Sequence, residues 1–215
     1  MRAMHDRYAG HWYRTLTFVQ TTTRHLASGR DTVMTWYESV SVPGKLRIDI
    51  GPPADGNGVL YTADSTYRLQ HGAVTKAVAG GNELLALAFD VYAQPVDTTL
   101  AQLRRAGFDL TKSHADAWAG RKVWVVGAAQ GDTVALQFWI DQERLVLLRQ
   151  LGPTVDARFN NYQRAGGGWI SPDVDLLVGG KLVQHEQYFQ ITADRALSDA
   201  LFDPHQWTTA PHWAP

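Results

Sequence analysis

At 215 residues the chain has the length of one large domain, and no linker-like run divides it. A formal net charge of -1, with a pI near 6.7, excludes the strongly basic field that would hold nucleic acid or an anionic lipid surface. The absence of cysteine removes disulfides, thiolate metal sites, cysteine nucleophiles and the usual attachment point of a bacterial lipid anchor.

The N-terminus, MRAMHDRYAG, lacks the basic, apolar and small-residue order of a signal peptide. That leaves a cytosolic chain, or one whose leader has been removed. Residues 2–10 read as the last turns of a short helix ending at Gly10. Residues 13–24 alternate Leu16, Phe18 and Gln20 against Thr15, Thr17, Val19 and Thr21, the period of a strand. Turns at Ser28-Gly29-Arg30-Asp31 and Pro43-Gly44 lead into strands 32–40 and 45–50, which makes a first meander.

After a Gly/Pro/Asp loop at 51–58 come short strands at 59–62, 66–70 and 74–78. The strand series then stops. Asn82 is placed to cap a helix over 83–92 that is apolar nearly all round, so it must be buried or cover something apolar. Pro95 interrupts it, and a second helix spans 97–106 with Leu100 and Leu103 on one face.

A second meander follows, with strands predicted at 123–127, 134–140 and 145–148. Reading by twos groups Val123, Val125, Leu136, Phe138, Ile140, Leu145 and Leu147 on one side, and Trp124, Val126, Trp139, Val146 and Leu148 on the other. A sheet with one wet face alternates apolar and polar residues, so both faces here must touch something. One layer is the core; the second is a helix layer, a partner or an apolar ligand. Strands at 155–164, 169–170, 174–178 and 182–192 and a capped turn at 198–204 complete the chain. The sum is about ten or eleven strands in meander order with a helical pair inserted midway, an α+β, mainly β, pattern for one large curved antiparallel sheet.

Local chemical motifs are scarce. The eight histidines are scattered singly without metal-ligand spacing, so no metal site is expected. His185 and Glu186 adjoin within a strand and point to opposite faces, and no Gly-x-Ser-x-Gly elbow occurs. Only Gly80-Gly81 among the glycine clusters precedes a helix, and it lacks a phosphate-loop context. The chain is therefore not expected to be an enzyme or to use a cofactor. Trp36, Trp124 and Trp139 lie in apolar runs, as core or cavity lining does. Arg47, Arg149 and Glu186 sit within strands, either on a solvated outer face or as polar groups at a cavity mouth.

Leu16-Thr17-Phe18-Val19-Gln20, Pro43-Gly44-Lys45-Leu46-Arg47, Phe138-Trp139-Ile140-Asp141 with Leu147-Leu148-Arg149, residues 162–172, and Leu201-Phe202-Asp203-Pro204 together resemble the periplasmic lipoprotein carriers of the LolA-like superfamily. The resemblance spans nearly the whole chain in short pieces. It implies a single domain over 1–215, an incomplete β-barrel curled around an apolar cavity, and a lid at about 83–106. It further implies a monomer in the periplasm that binds a lipid or lipoprotein acyl chain, with an envelope membrane protein as a possible partner. Arg47 matches a lid-holding arginine of that family, although Leu46-Arg47-Ile48-Asp49 lacks the aromatic that follows it there. Strand parity and helix position nominate Phe18, Trp36, Leu46, Leu85, Phe89, Tyr92, Val125, Leu136, Phe138 and Leu147 as cavity lining. The leading functional reading is a carrier or binding protein for an apolar ligand. The alternatives are a sensor or interaction module on the same fold and, third, a hydrolase or isomerase working inside the cavity.

Overall fold

The structure, a computed structural model, describes residues 1–214. After helix α1 (Arg2–Tyr8) come strands β1 (Thr15–His25), β2 (Asp31–Ser41), β3 (Lys45–Ile50), β4 (Gly58–Tyr61), β5 (Ser65–Gln70) and β6 (Ala73–Ala79). Helices α2 (Glu83–Ala88) and α3 (Val96–Arg105) follow. Then come β7 (Ser113–Trp118), β8 (Arg121–Val126), β9 (Gln137–Asp141), β10 (Leu147–Leu151), β11 (Val155–Asn160), β12 (Gln163–Ala165), β13 (Gly168–Ile170), β14 (Asp173–Val178) and β15 (Lys181–Ala193).

Thirteen of these strands form one antiparallel sheet in the order β6-β5-β4-β3-β2-β1-β15-β14-β11-β10-β9-β8-β7, and β12 pairs only with β13. The edge strands β6 and β7 are not paired with each other, so the barrel is unclosed. Meander order holds within each half, but not across the whole. The first strand pairs with the last, Leu16 against Ala193 through Arg24 against Gln184, which joins two separate meanders at the centre.

Several elements differ from the sequence reading for local reasons. The expected 83–92 helix stops at Ala88 and resumes as a short 3-10 turn, Asp90–Tyr92. The run at 134–140 is a strand only from Gln137, because Asp132 Oδ1 accepts the Val134 and Ala135 N–H groups, each at 2.9 Å, and holds a turn there. The 155–164 run breaks where Asn161 takes φ 55°, which sends β12 off the main sheet. Strand β7, Ser-His-Ala-Asp-Ala-Trp, was hidden by its polar and small residues; it is an exposed edge that buries little.

The curled sheet has a hollow side and an outer side, and both are covered in part. On the hollow side, Leu16, Phe18, Val40, Leu46, Phe138, Ile140 and Leu147 pack against Leu85, Leu87, Val91, Tyr92 and Leu103 of the helical segment, together with Met4, Tyr8 and Trp12. On the outer side, Tyr162 and Trp169 cover Val123, Val125, Val146 and Leu148. The C-terminal segment lays Leu201, Phe202 and Trp207 over Leu60 and Leu69. The second apolar face of the 120–151 region therefore has an occupant within the chain, the β12–β13 hairpin.

Candidate functional site

The hollow is the concave surface on which the sheet's central strands converge. Register assigns its residues. Phe18 lies opposite Glu38, and Glu38 opposite Ile48; Gln20 lies opposite Trp36 and Tyr188; Thr22 lies opposite Glu186. Directly opposed residues share a face. The hollow therefore has two regions: an apolar one roofed by α2 and α3, and a polar one centred on Gln20, Thr22, Glu38 and Glu186.

The roof over the apolar region is held chiefly by side-chain packing. Side-chain hydrogen bonds tie it down at three points among the described residues. The Tyr92 hydroxyl donates to the Leu145 carbonyl at 3.1 Å, the Gly44 N–H donates to Asp90 at 2.8 Å, and the Gln150 amide donates to Glu83 at 3.4 Å. Asn82 caps α2 through its side-chain oxygen, as its position predicts. At one end of the roof an aromatic cluster seals the hollow. Trp12 stacks on Tyr92 with centroids 3.8 Å apart, and Tyr8 meets both edge-on.

The nominated lining residues divide between the two faces. Phe18, Leu46, Leu85, Tyr92, Phe138 and Leu147 are buried together between sheet and helices, with Phe89 and Leu136 half-buried against them. Trp36 is on the same face, further along β2 and outside that cluster. Val125 is a correction. It pairs with Trp139, and both face outward under the β12–β13 hairpin, while Val126 opposite Phe138 takes the inward place. Parity is secure within a strand but does not carry through the loop between β8 and β9.

Arg47 is the second correction. Its neighbours across the sheet are Ser39 and Leu60, on the outer side, so it cannot reach the lid. It is 1% exposed and donates twice to Asp49, at 2.7 and 2.8 Å. It also donates to the carbonyls of Leu201 and Trp207, at 3.2 and 2.9 Å, and lies over the Trp207 ring at 3.7 Å. Asp49 in turn is 3.1 Å from His212 Nε2. This buried group fastens the C-terminal segment to the back of the sheet. The capped turn read at 198–204 docks Leu201 and Phe202 as expected, but the buried group that fastens it gave no sign, because it is made by tertiary contacts and has no period of its own.

In the polar region the sequence reading raises Glu186, as an outer-face or cavity-mouth group, and misses Glu38 and Gln20. Glu38 is 5% exposed, and burial pushes its carboxyl well up, reinforced by the charge of Glu186. Burial likewise raises Glu186, opposed by donated bonds from Tyr188 at 2.7 Å and Gln184 at 2.5 Å. Gln20 donates to Thr22 at 2.7 Å, but among the described residues its carbonyl oxygen and the Trp36 indole N–H have no hydrogen-bond partner. Glu38 and Glu186 lie far apart in sequence and converge only because β1 is sandwiched between the strands that carry them. The one legible signal was a charge inside each of two predicted strands.

Beside the roof lies a cleft of about 470 Å³ between α2, α3 and the sheet rim, lined among others by Thr62, Asp64, Asn82, Glu83, Asp90, Gln102 and Arg105. Asp90 is 2% exposed, and burial lifts its pKa to about 7 in spite of the bond from Gly44. On the outer side, Asp173, Asp175 and His185 bring donor atoms within 4.8 Å of one another. Their bonding is satisfied internally: His185 Nδ1 is 2.8 Å from Asp175, and Asn160 and Asn161 donate to the two carboxylates. Sequence spacing could not show this group, which is assembled across two strands.

No protein-family model matches the chain, and no curated protein matches it. Solved structures do. A protein described as an outer membrane lipoprotein-sorting protein domain, from Vibrio parahaemolyticus, aligns with TM-score 0.60 at 12% identity over 96% of each chain. A LolA superfamily protein from Nitrosomonas europaea aligns with TM-score 0.56 at 11% identity over 94% of this chain and 96% of its own. A DUF1329 family protein from Desulfovibrio piger aligns with TM-score 0.54 at 12% identity, covering 89% and 90%. The unclosed sheet, the helical roof inserted midway and these alignments agree: the chain has a LolA-like fold.

Proposed function

We propose that the protein is a carrier or binding protein of the cell envelope that takes an apolar chain, such as a lipid or lipoprotein acyl group, into the hollow in place of its lid. The observation that carries this reading is the way the roof is attached. Leu85, Leu87, Val91 and Leu103 are at most 3% exposed, while hydrogen bonds from the rest of the chain are few. An acyl chain entering the hollow gains about 0.8 kcal/mol per buried methylene and replaces contacts of the same kind. Binding and release are then close in free energy, as a carrier needs, and no covalent chemistry is involved.

The cleft beside Asp90 marks the seam at which the roof meets the sheet rim, and in this reading opening begins there. The aromatic cluster around Tyr92 is the fixed side. No helix among the described residues is long and apolar enough to cross a membrane. Support for an envelope location comes from the lipoprotein-sorting and LolA descriptions of the structural neighbours.

The test is transfer. Protein stripped of lipid is loaded with a fluorescent acyl chain and mixed with acceptor vesicles. Saturable loading followed by movement of the label to the vesicles supports a carrier. Loading without transfer supports a binding or sensing module, and no loading removes the apolar-ligand reading.

A further inference from the structure

The polar region of the hollow lies on the same concave surface as the apolar region and is only partly roofed. Ile48, Val59, Phe159 and Leu176 on that face are half-buried, which leaves this end in contact with solvent. Its floor is unusual for a surface meant only for hydrocarbon. Glu38 is almost fully buried, and among the described residues no hydrogen bond offsets its burial. Gln20, fully buried, keeps its carbonyl oxygen without a partner among the described residues. Unpaired buried polar atoms cost free energy, and a set of them on one concave face is what a ligand's polar end would satisfy.

The sign of the charge follows from the groups present. Glu38 senses the charge of Glu186 across β1, and the Tyr61 hydroxyl sits in the field of Arg68 on one side and of Glu38, Glu83 and Glu186 on the other. The basic groups whose charge reaches Glu186 are His185, on the other face of β15, and Arg24, exposed at the strand's outer end and 5.5 Å over the Trp36 ring. Two carboxyls on one concave face, Glu38 buried and Glu186 half-buried, disfavour an anion and favour a positively charged hydrogen-bond donor, which would offset their mutual repulsion. Glu186 already accepts from Tyr188 and Gln184, so Glu38 is the freer acceptor.

We propose that Glu38, with Glu186 and Gln20, forms a recognition site for a cationic polar end, an ammonium group carried on an apolar chain. This rests on the apolar-chain reading of the hollow and adds the class of ligand. The chain lies under the lid, and its charged end faces the carboxyls of β2 and β15.

The experiment is displacement of N-phenylnaphthylamine fluorescence from the intact protein by dodecylammonium, dodecanol and dodecanoate, each below its micelle concentration. The three share one chain and differ at one end. Dodecylammonium is expected to displace the dye at about tenfold lower concentration than dodecanol, the scale of one charge-assisted hydrogen bond, with dodecanoate weakest. In Glu38→Gln and in Glu38→Gln/Glu186→Gln that advantage of ammonium over alcohol should shrink to about twofold or less. Equal displacement by ammonium and alcohol in the parent protein overturns the cationic site and leaves the apolar reading standing. So does an ammonium preference that survives in both variants. Failure of every chain to displace the dye, or of the dye to bind, removes the apolar reading and this proposal with it.

Discussion

Arg47 and Asp49 form a two-point ion pair on the outer face of β3, 1% and 0% exposed, with Arg47 also donating to the carbonyls of Leu201 and Trp207. The pair stands on the opposite side of the sheet from the roof. Two attachments are thus built on one short strand: Leu46 faces inward against the helices, and Arg47 and Asp49 face outward against the C-terminal strap.

Removing one partner of that pair leaves the other charge buried and alone. Arg47→Ala or Asp49→Ala is expected to cost about 3–5 kcal/mol, read from urea unfolding. Hydrogen exchange should rise first over residues 197–214. The double replacement Arg47→Met/Asp49→Leu should be less destabilising than either single change, because it removes both charges together. A double variant worse than both singles would show that the hydrogen bonds to Leu201 and Trp207 matter more than the charge pairing.

Asp90 gives a pH dependence with a definite sign. Burial raises its folded pKa to about 7, above its unfolded value, so the native state holds a proton that the unfolded chain releases. Stability from this group is fully present below about pH 4 and is lost as pH rises toward 7. Asp90→Asn keeps an acceptor for the Gly44 N–H and abolishes the titration. Urea midpoints compared from pH 5 to 8 should show the variant gaining on the parent as pH rises, by a few kcal/mol at most. Parallel profiles would mean that Asp90 is not protonated in the native protein.

Leu103 is fully buried where α3 meets the hollow. Leu103→Ala should lower stability by about 2–5 kcal/mol. If the lid competes with ligand, the same variant should bind an acyl chain more tightly. Opposite signs in calorimetric unfolding and chain binding would support competition; loss of both would place Leu103 in a fixed core.

Part of this arrangement could be read from residue patterns alone. Strand periodicity found β1 to β3, and the Asn82 cap found α2, because those signals are local. The face of Val125 could not be read, since a loop whose length carries no parity separates it from Phe138. The role of Arg47 was also out of reach: its partners in the strap, the carbonyls of Leu201 and Trp207, lie 154 and 160 residues away, and the family resemblance pointed it toward the lid. The polar floor stayed hidden for a similar reason. Glu38 and Glu186 become neighbours only when the first strand pairs with the last, a non-local contact that a meander reading does not contain.

The lid itself is the most direct place to test the account. The chain has no cysteine, so Arg104→Cys on α3 and Gln187→Cys on β15, both exposed, give a unique pair of spin labels. Their distance distribution, measured with and without bound dodecanol, should shift to longer values and broaden as the chain displaces the helices. A distribution unchanged at saturating ligand would contradict the exchange of lid for ligand on which the carrier reading depends.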